Sequence, residues 1–367
     1  MTGSRTLPSI SKATVFDPAT LAEPIVQAPL AGGPSTPELA IAVCEAGGLG
    51  FLAAGYKTAE AVRGQIDALR AHTDRPFGVN IFMPSPEPAD PAGLQAYLRR
   101  IEAEAARHGA DVGEPRFEDD RFDSKLELVH ERRPAVVSFT FGCPAEPVFE
   151  RLHEHDIAAW VTVTSAAEAA TATTAGADAL VVQGTEAGGH RGAFVDDEDA
   201  AGIGLLALLQ LVRRTSELPL IASGGIATGA AVAAVLCAGA AAAQIGTALM
   251  LTPEAETAQA QREILTEPIP TRLTRAFSGR LARGMVNRFM TEHGDSAPIG
   301  YPEIHHATSP LRSAARKHGD AGGFNLWAGQ AHELAQARPA ADIVRELGAD
   351  ARRTIHECDH RLGQTGR

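Results

Sequence analysis

The sequence predicts an α/β protein built on a (β/α)8 TIM barrel, with a smaller, mainly helical domain over the barrel mouth. Three observations carry this. Short apolar runs alternate with longer amphipathic segments, the signature of parallel strands joined by helical crossovers. A helix-closing glycine recurs just before a strand at Ala46-Gly-Gly48, Ala175-Gly-Ala177 and Ala238-Gly-Ala240, so one αβ unit is repeated. The 367 residues exceed by about a hundred the roughly 250 that such a barrel needs.

In chain order, the expected strands are Ile25–Ala28, Leu49–Leu52, Phe77–Ile81, Ala135–Phe139, Ala158–Val163, Ala179–Gln183, Leu220–Ser223 and Ala242–Ile245. Helix starts lie between them. Ser35-x-x-Glu38 reads as a capping box with Pro37 in the first turn, and Thr164-Ser165 and Thr228 precede Ala-rich runs as N-caps. The surplus falls in two blocks. Residues 12–82 and 134–252 form the barrel, while 83–133 and 253–367 pack together as the helical domain. The first block opens with a stiff Met83-Pro-Ser-Pro-Glu-Pro88 exit and continues with a helix around Gln95–Arg107.

Composition narrows the function. Hydrophobic residues make up 44% of the chain and aromatic ones 5%, which suits tightly packed helix-on-strand layers. A net charge of -12 argues against nucleic acid or an anionic membrane as partner, since both need basic faces. The start lacks an apolar signal core and no later run is long enough to span a bilayer, so a cytoplasmic protein is expected, with monomer and homodimer left open. Cys44, Cys143, Cys237 and Cys358 have no metal-ligand spacing, and Cys44 and Cys237 read as buried helix residues.

The densest chemistry is Gln183-Gly-Thr-Glu-Ala-Gly-Gly-His190-Arg-Gly192, leaving the sixth strand where barrel active sites lie. Its glycines let backbone approach a ligand, and His190 can take and give a proton near neutral pH. The seventh and eighth strands run into Ser223-Gly224-Gly225 and Gln244-Ile245-Gly246-Thr247. Glycines at these two consecutive ends, with a hydroxyl beside each, point to a phosphate-bearing cofactor held by backbone N–H groups. Ala46-Gly-Gly-Leu-Gly50 precedes a strand, the wrong order for a dinucleotide fingerprint, so a flavin fits better than a nicotinamide.

These motifs resemble the class I nitronate monooxygenases, formerly 2-nitropropane dioxygenases. The matching segments are Gln27-Ala-Pro-Leu-Ala-Gly-Gly33, Gly78-Val-Asn80, Gln183 through Gly192, the two glycine loops, Phe277-Ser-Gly-Arg-Leu-Ala-Arg-Gly284, Tyr301-Pro-Glu-Ile and Leu326-Trp-Ala-Gly-Gln330. The resemblance implies an FMN-dependent, metal-free oxidation of alkyl nitronates, and of nitroalkanes, by O2 to carbonyl compounds and nitrite through a flavin semiquinone. It implies His190 as catalytic base, with Asn80, Gln183, Gly188, Gly224, Gly225, Gln244, Ile245, Gly246 and Thr247 around FMN. Ala28, Pro29 and Leu30 would lie against the flavin ring. Thr140 and Tyr301 are candidate substrate-pocket residues. Thr140 departs from the family, many members of which carry histidine there; a threonine still hydrogen-bonds a small anion but brings no charge. The closest rival is a flavin reductase of the enoyl-acyl carrier protein reductase or NAD(P)H:quinone reductase type, and a flavin-binding protein without turnover is a third reading.

Other features read as structural. His153-Glu154-His155 has i,i+2 spacing that splays the rings. His305-His306 reads as a solvated or hydrogen-bonded pair. Arg272, Arg275, Arg280, Arg283 and Arg288 read as anchors on carboxylates and carbonyls, and Glu118-Asp-Asp120 and Asp196-Asp-Glu198 as exposed loops. The tail after Ala335 reads as an amphipathic helix suited to an interface.

Overall fold

The computed structural model describes residues 15–85, 90–197 and 202–364. Its centre is a ring of parallel strands: β1 (Ile25–Gln27), β2 (Gly50–Ala53), β3 (Phe77–Phe82), β4 (Val136–Thr140), β5 (Ala158–Val163) and β6 (Ala179–Gln183). After a short β7 (Gly189–His190) outside the ring come β8 (Leu220–Ser223) and β9 (Ala242–Ile245). The order β1-β9-β8-β6-β5-β4-β3-β2 is closed where Leu49 N donates to Ile25 O and Gln27 N to Leu49 O, each at 2.9 Å. The eight expected strands are the ones observed, with ends shifted by a single residue where they differ.

Alternation along each strand separates two cores. Val26, Phe51, Val136, Ala158, Trp160, Ala179, Val181, Ile221 and Ala242 point inward and fill the lower barrel. Their neighbours Val137, Phe139, Val161, Leu180, Val182, Ala222, Ala243 and Ile245 point outward, beneath the helices. The upper inward positions are polar apart from Phe82: Asn80, Ser138, Thr140, Thr162, Gln183, Ser223 and Gln244 all border one cavity. The apolar strands thus bury the barrel, and their last inward residues build a site.

The helices are α1 (Pro37–Glu45), α2 (Ala59–Arg70), α3 (Pro91–Arg107), α4 (Phe122–Arg132), α5 (Glu146–His153), α6 (Ala166–Ala175), α7 (Leu205–Arg213), α8 (Gly229–Cys237), α9 (Gln259–Arg262), α10 (Arg288–His293), α11 (Glu303–Lys317) and α12 (Ala340–Gln364). The N-cap of α1 is Thr36, not Ser35: Thr36 Oγ1 accepts from Leu39 N, while Ser35 Oγ accepts from Leu30 N and from Gln27 Nε2. Ser165 and Thr228 cap as expected. Gly47, Gly176 and Gly239 close their helices with φ of 95°, 112° and 97°.

Two expectations shift. Residues 122–132, assigned to the helical domain, form α4, whose Leu126, Leu128 and Val129 belong to the barrel's outer core. The tail does likewise: Ala340, Ile343, Val344, Leu347 and Ala351 of α12 enter the same core, with α12 packed along α8 and α1. The apolar stripe of its first half covers its own barrel. The remaining surplus is mainly helical and also contributes β10 (Thr271–Thr274) and β11 (Ala282–Met285), which join β7 in an antiparallel sheet of order β10-β11-β7. Outside the barrel, α3, α10 and α11 share a cluster of Leu94, Tyr97, Leu98, Ile101, Phe277, Phe289, Met290, Ile304 and Leu311.

Smaller corrections follow. Cys237 is exposed, whereas Cys44 is buried as expected. Asp120 is buried against Lys125, and Asp196 is paired with Arg275, so neither belongs to an exposed loop. The N-terminal start, Pro86–Pro88 of the proline-rich exit and Glu198 lie outside the described residues.

Candidate functional site

The cavity at the C-terminal ends of the strands measures about 470 Å³. Ala28, Pro29, Leu30, Asn80, Thr140, Gln183, Gly188, His190, Gly224, Gly225, Gln244, Gly246 and Thr247 all line it. Two predicted residues do not. Ile245 follows inward-facing Gln244, so its side chain turns outward into the core beneath the helices. Tyr301 stands behind the lining, its ring 5.9 Å from that of His190.

The loop carrying His190 is fixed from both sides. Gln183 Oε1 accepts from Arg191 Nη1 (3.0 Å) and Gly192 N (2.8 Å), and its Nε2 donates to His190 O (3.1 Å). Arg191 is buried and also donates to the carbonyls of Gln183 and Gly184, so its guanidinium shapes the loop. On the other side β7 pairs with β11, His190 opposite Ala282. That pairing brings Ser278 to the ring, with His190 Nε2 and Ser278 Oγ 2.8 Å apart. Ser278 Oγ in turn donates to Arg280 O at 3.2 Å, so it accepts from an Nε2–H. This pattern puts the imidazole proton on Nε2 and leaves the Nδ1 lone pair as the basic position.

His190 reaches solvent only through the cavity and is otherwise enclosed. Trp327, Phe141 and Tyr301 surround the ring at centroid distances of 5.5, 5.7 and 5.9 Å. Burial, then the positive charges of Arg280 and Arg312, push its pKa down to about 3. It is therefore neutral at pH 7. Arg280 lies over the Phe141 ring at 4.2 Å and donates to Ala193 O. Arg312 donates to Thr308 Oγ1, Asn325 Oδ1 and His305 O, and Arg316 shares that same Asn325 oxygen. Among the described residues, no carboxylate pairs with Arg312 or Arg316, and burial pushes Arg312 down to about 9. A protein of net charge -12 thus keeps a local positive field beside its cavity, which favours an anionic ligand.

The opposite end suits a phosphate. Gly224 and Gly225 have φ of 121° and 68°, where a side chain is strained, and Thr228 caps the start of α8 just beyond. Among the described residues, none accepts a hydrogen bond from the N–H of Gly225, Gly246 or Thr247. A Cβ on Gly246 would stand 3.3 Å from Ala28 Cβ and 3.4 Å from Leu30 Cδ2, crowding the strand-one loop. The orphaned amides, the glycine cradle and the cavity volume fit a phosphate-bearing cofactor.

Thr140 is not isolated. Its Oγ1 accepts from Asn80 Nδ2 (3.0 Å) and lies 3.3 Å from Thr162 Oγ1, a neutral chain at the cavity floor. The arginine cluster anchors main chain and carboxylates: Arg275 on Asp196, Arg283 on Thr185 O, Arg288 on Glu104 and Asp320, Arg272 on Met290 O. His153 pairs with Asp178 and His306 with Glu118. His305 is hydrogen-bonded as well, its Nδ1 lying 3.3 Å from Arg312 Nη2. It is stacked on Tyr56 at the cavity wall, its pKa held well below the usual value by burial and Arg312. Ser278, Arg312, Arg316, Asn325 and Tyr56 escaped the sequence reading of the site. Only Ser278, inside the quoted Phe277–Gly284 motif, carried any signal.

A family model described as nitronate monooxygenase matches residues 16–350. The chain is 42% identical over 344 residues to a nitronate monooxygenase of Pseudomonas aeruginosa, covering 90% of this chain and 96% of that one. It is 40% identical over 346 residues to a nitronate monooxygenase of Paraburkholderia phytofirmans, covering 91% and 94%. Among solved structures it is similar to a nitroalkane oxidase from Streptomyces ansochromogenes, with TM-score 0.90 and 48% identity over 93% of this chain and 99% of that one. FabK from Thermotoga maritima is more distant, with TM-score 0.72 and 26% identity over 93% and 96%. An oxidoreductase barrel carrying a neutral buried histidine beside a phosphate-ready glycine cradle accords with these matches, and the chain belongs to the nitronate monooxygenase family.

Proposed function

We propose that this enzyme oxidises alkyl nitronates, and nitroalkanes after removal of the α-proton, to carbonyl compounds and nitrite with O2, using FMN held in the cavity. The observation that carries the reading is His190 at the cavity, its Nε2 2.8 Å from Ser278 Oγ and the buried cations Arg280 and Arg312 beside it. The N–H groups of Gly225, Gly246 and Thr247 and the start of α8 would hold the FMN phosphate. Ala28, Pro29 and Leu30 would flank the ring system, with Asn80, Gln183, Gly188, Gly224 and Gln244 around it. Bound FMN supplies the electron acceptor and the place where O2 is reduced.

The chain's own residues handle charge and protons. A neutral nitroalkane gives its α-proton to His190 Nδ1, and Ser278 keeps the ring oriented by accepting from Nε2. The imidazolium so formed faces Arg280 and Arg312, which disfavour it, but the nitronate formed beside it balances the new charge and lies in the field of the two arginines. A substrate that arrives as a nitronate needs no base, only that positive field. The helices outside the barrel (α3, α10 and α11) would act as the lid over the mouth. The enzyme would work in the cytoplasm as a monomer or homodimer.

Anaerobic mixing of the purified, flavin-loaded protein with ethyl nitronate, and separately with NADH or NADPH, tests this. A change in the flavin spectrum with nitronate, and none with nicotinamide, supports the oxidase. Rapid bleaching by nicotinamide alone overturns it and favours a reductase, the second reading. His190→Asn is expected to abolish turnover of neutral nitroethane while sparing much of that on ethyl nitronate; equal loss on both removes the base role.

A further inference from the structure

We propose that Tyr56 sets the upper length of the alkyl group that the nitronate carries, and that the buried Asp120–Lys125 pair holds it in that position. This rests on the nitronate reading above. A row of rings starts at His190 and runs through Phe141 and Phe82 to Tyr56, with successive centroid separations of 5.7, 4.6 and 5.4 Å. All four residues border the cavity. Phe82 and Phe141 form one apolar cluster, with Tyr56 packed against it. An alkyl chain on the carbon beside His190 has this wall to lie along, and Tyr56 is its far end. Behind it the Tyr56 ring is stacked on His305 at 4.1 Å and 5° between planes, so the wall has no slack there.

The backbone of Tyr56 is unusual in a way that suits a stop. Its φ is 67°, a conformation that a bulky aromatic rarely adopts. Asp120 Oδ1 accepts from Tyr56 N at 3.0 Å and so grips that conformation. The other Asp120 oxygen is 2.6 Å from Lys125 Nζ, and Lys125 is 1% exposed. A buried ion pair is a poor source of stability compared with apolar packing. This one spends its carboxylate on a single backbone amide at the cavity edge. Gly55 completes the arrangement, because a Cβ there would collide with the Phe82 ring.

The experiment uses the flavin-loaded enzyme and the nitronates of linear 1-nitroalkanes from nitroethane to 1-nitrohexane. Tyr56→Ala is expected to raise kcat/KM for the hexyl relative to the ethyl compound by about tenfold or more, at least the scale of one methylene in an apolar pocket. Tyr56→Phe keeps the wild-type profile. Asp120→Ala combined with Lys125→Met, which removes the acceptor of the Tyr56 amide without stranding a buried cation, shifts it in the same direction as Tyr56→Ala. Tyr56→Leu carries the expectation should Tyr56→Ala fail to fold. A uniform loss at every length, or Tyr56→Phe behaving like Tyr56→Ala, overturns the proposal. Calorimetric binding of linear carboxylates from acetate to hexanoate separates the two hypotheses. If wild type oxidises no nitronate, the functional reading fails. The length preference in carboxylate binding, and its shift in Tyr56→Ala, still decides the role of Tyr56.

Discussion

Gly188→Ala puts the rigidity of the cavity wall to the test. A Cβ at this position would stand 2.5 Å from the carbonyl carbon of Ala328 and still closer to Gly329 N. Both are backbone atoms, so no side chain can swing away. The opposing segment is pinned: Gly329 N donates to Thr247 Oγ1 and Gln330 N to Glu186 O, each at 3.0 Å. Relief therefore means moving residues 326–330 as a unit. Overpacking of this kind costs about 1–3 kcal/mol, and losing the Gly329–Thr247 bond about 1 more, for a total of roughly 2–4 kcal/mol. Gly64→Ala is the control, because nothing lies within 4 Å of its Cβ and it sits inside α2. That change should stabilise by about 1 kcal/mol. Urea unfolding of the two variants and wild type measures the difference, and flavin retained after dialysis reads the site, because Thr247 belongs to the proposed phosphate cradle. Unchanged unfolding and flavin retention in Gly188→Ala would refute the reasoning, for the wall would then be free to move.

Three further expectations follow from the charges. The pKa of His190 is about 3 in the folded protein against 6.5 in its ordinary state, so the unfolded chain binds the extra proton; stability is full above pH 6.5 and declines as pH falls toward 3. At pH 5 the loss is about 2 kcal/mol, and His190→Gln should be less acid-sensitive than wild type by that amount; equal sensitivity in urea melts at pH 7 and pH 5 counts against it. Arg312→Met removes one cation acting on His190, so the acid limb of kcat/KM for neutral nitroethane should move to higher pH, and a stationary limb would show that burial and Arg280 set the value without it. Lys125→Met leaves Asp120 buried without its cation and should cost about 3–5 kcal/mol, with Asp120→Asn in the same chain recovering most of it; no recovery in thermal melts would mean that packing, not charge, is lost.

Much of this architecture is written locally in the chain, and the misreadings have physical causes. Each buried parallel strand is a short apolar run bounded by glycine or a turn, so the strands stand out without tertiary knowledge. The loops after β6, β8 and β9 stand out for the same reason, since glycine clusters mark where backbone must approach a ligand. Layer assignment is different. The stripe Ala340, Ile343, Val344, Leu347, Ala351 looks the same whether it covers its own barrel or a partner, and only the fold chooses α8 and α1. Strand alternation could have moved Ile245 out of the site, because an inward Gln244 fixes its neighbour outward. Ser278 could not have been paired with His190 by pattern, since the contact spans 88 residues and depends on a two-residue strand. Tyr56 and Arg312 belong to segments that read as ordinary helix flank and helix face.

The closure of the ring between β1 and β2 has a consequence of its own. Those strands share a single bridge, Val26 to Leu49, where every other neighbouring pair has a ladder. The amide of Gln27, fully buried, fills the missing rungs: Nε2 donates to Phe51 O at 3.0 Å and Oε1 accepts from Phe51 N at 3.2 Å. A side chain therefore does the work of backbone, and the hoop is fastened by a clasp. Such a clasp has rotamers where a strand has none, so this is where the barrel can yield without unravelling. The residues that follow it, Ala28 to Leu30, line the cavity. Any loosening of the fastening is felt first at the floor on which the ring system of a bound cofactor would rest.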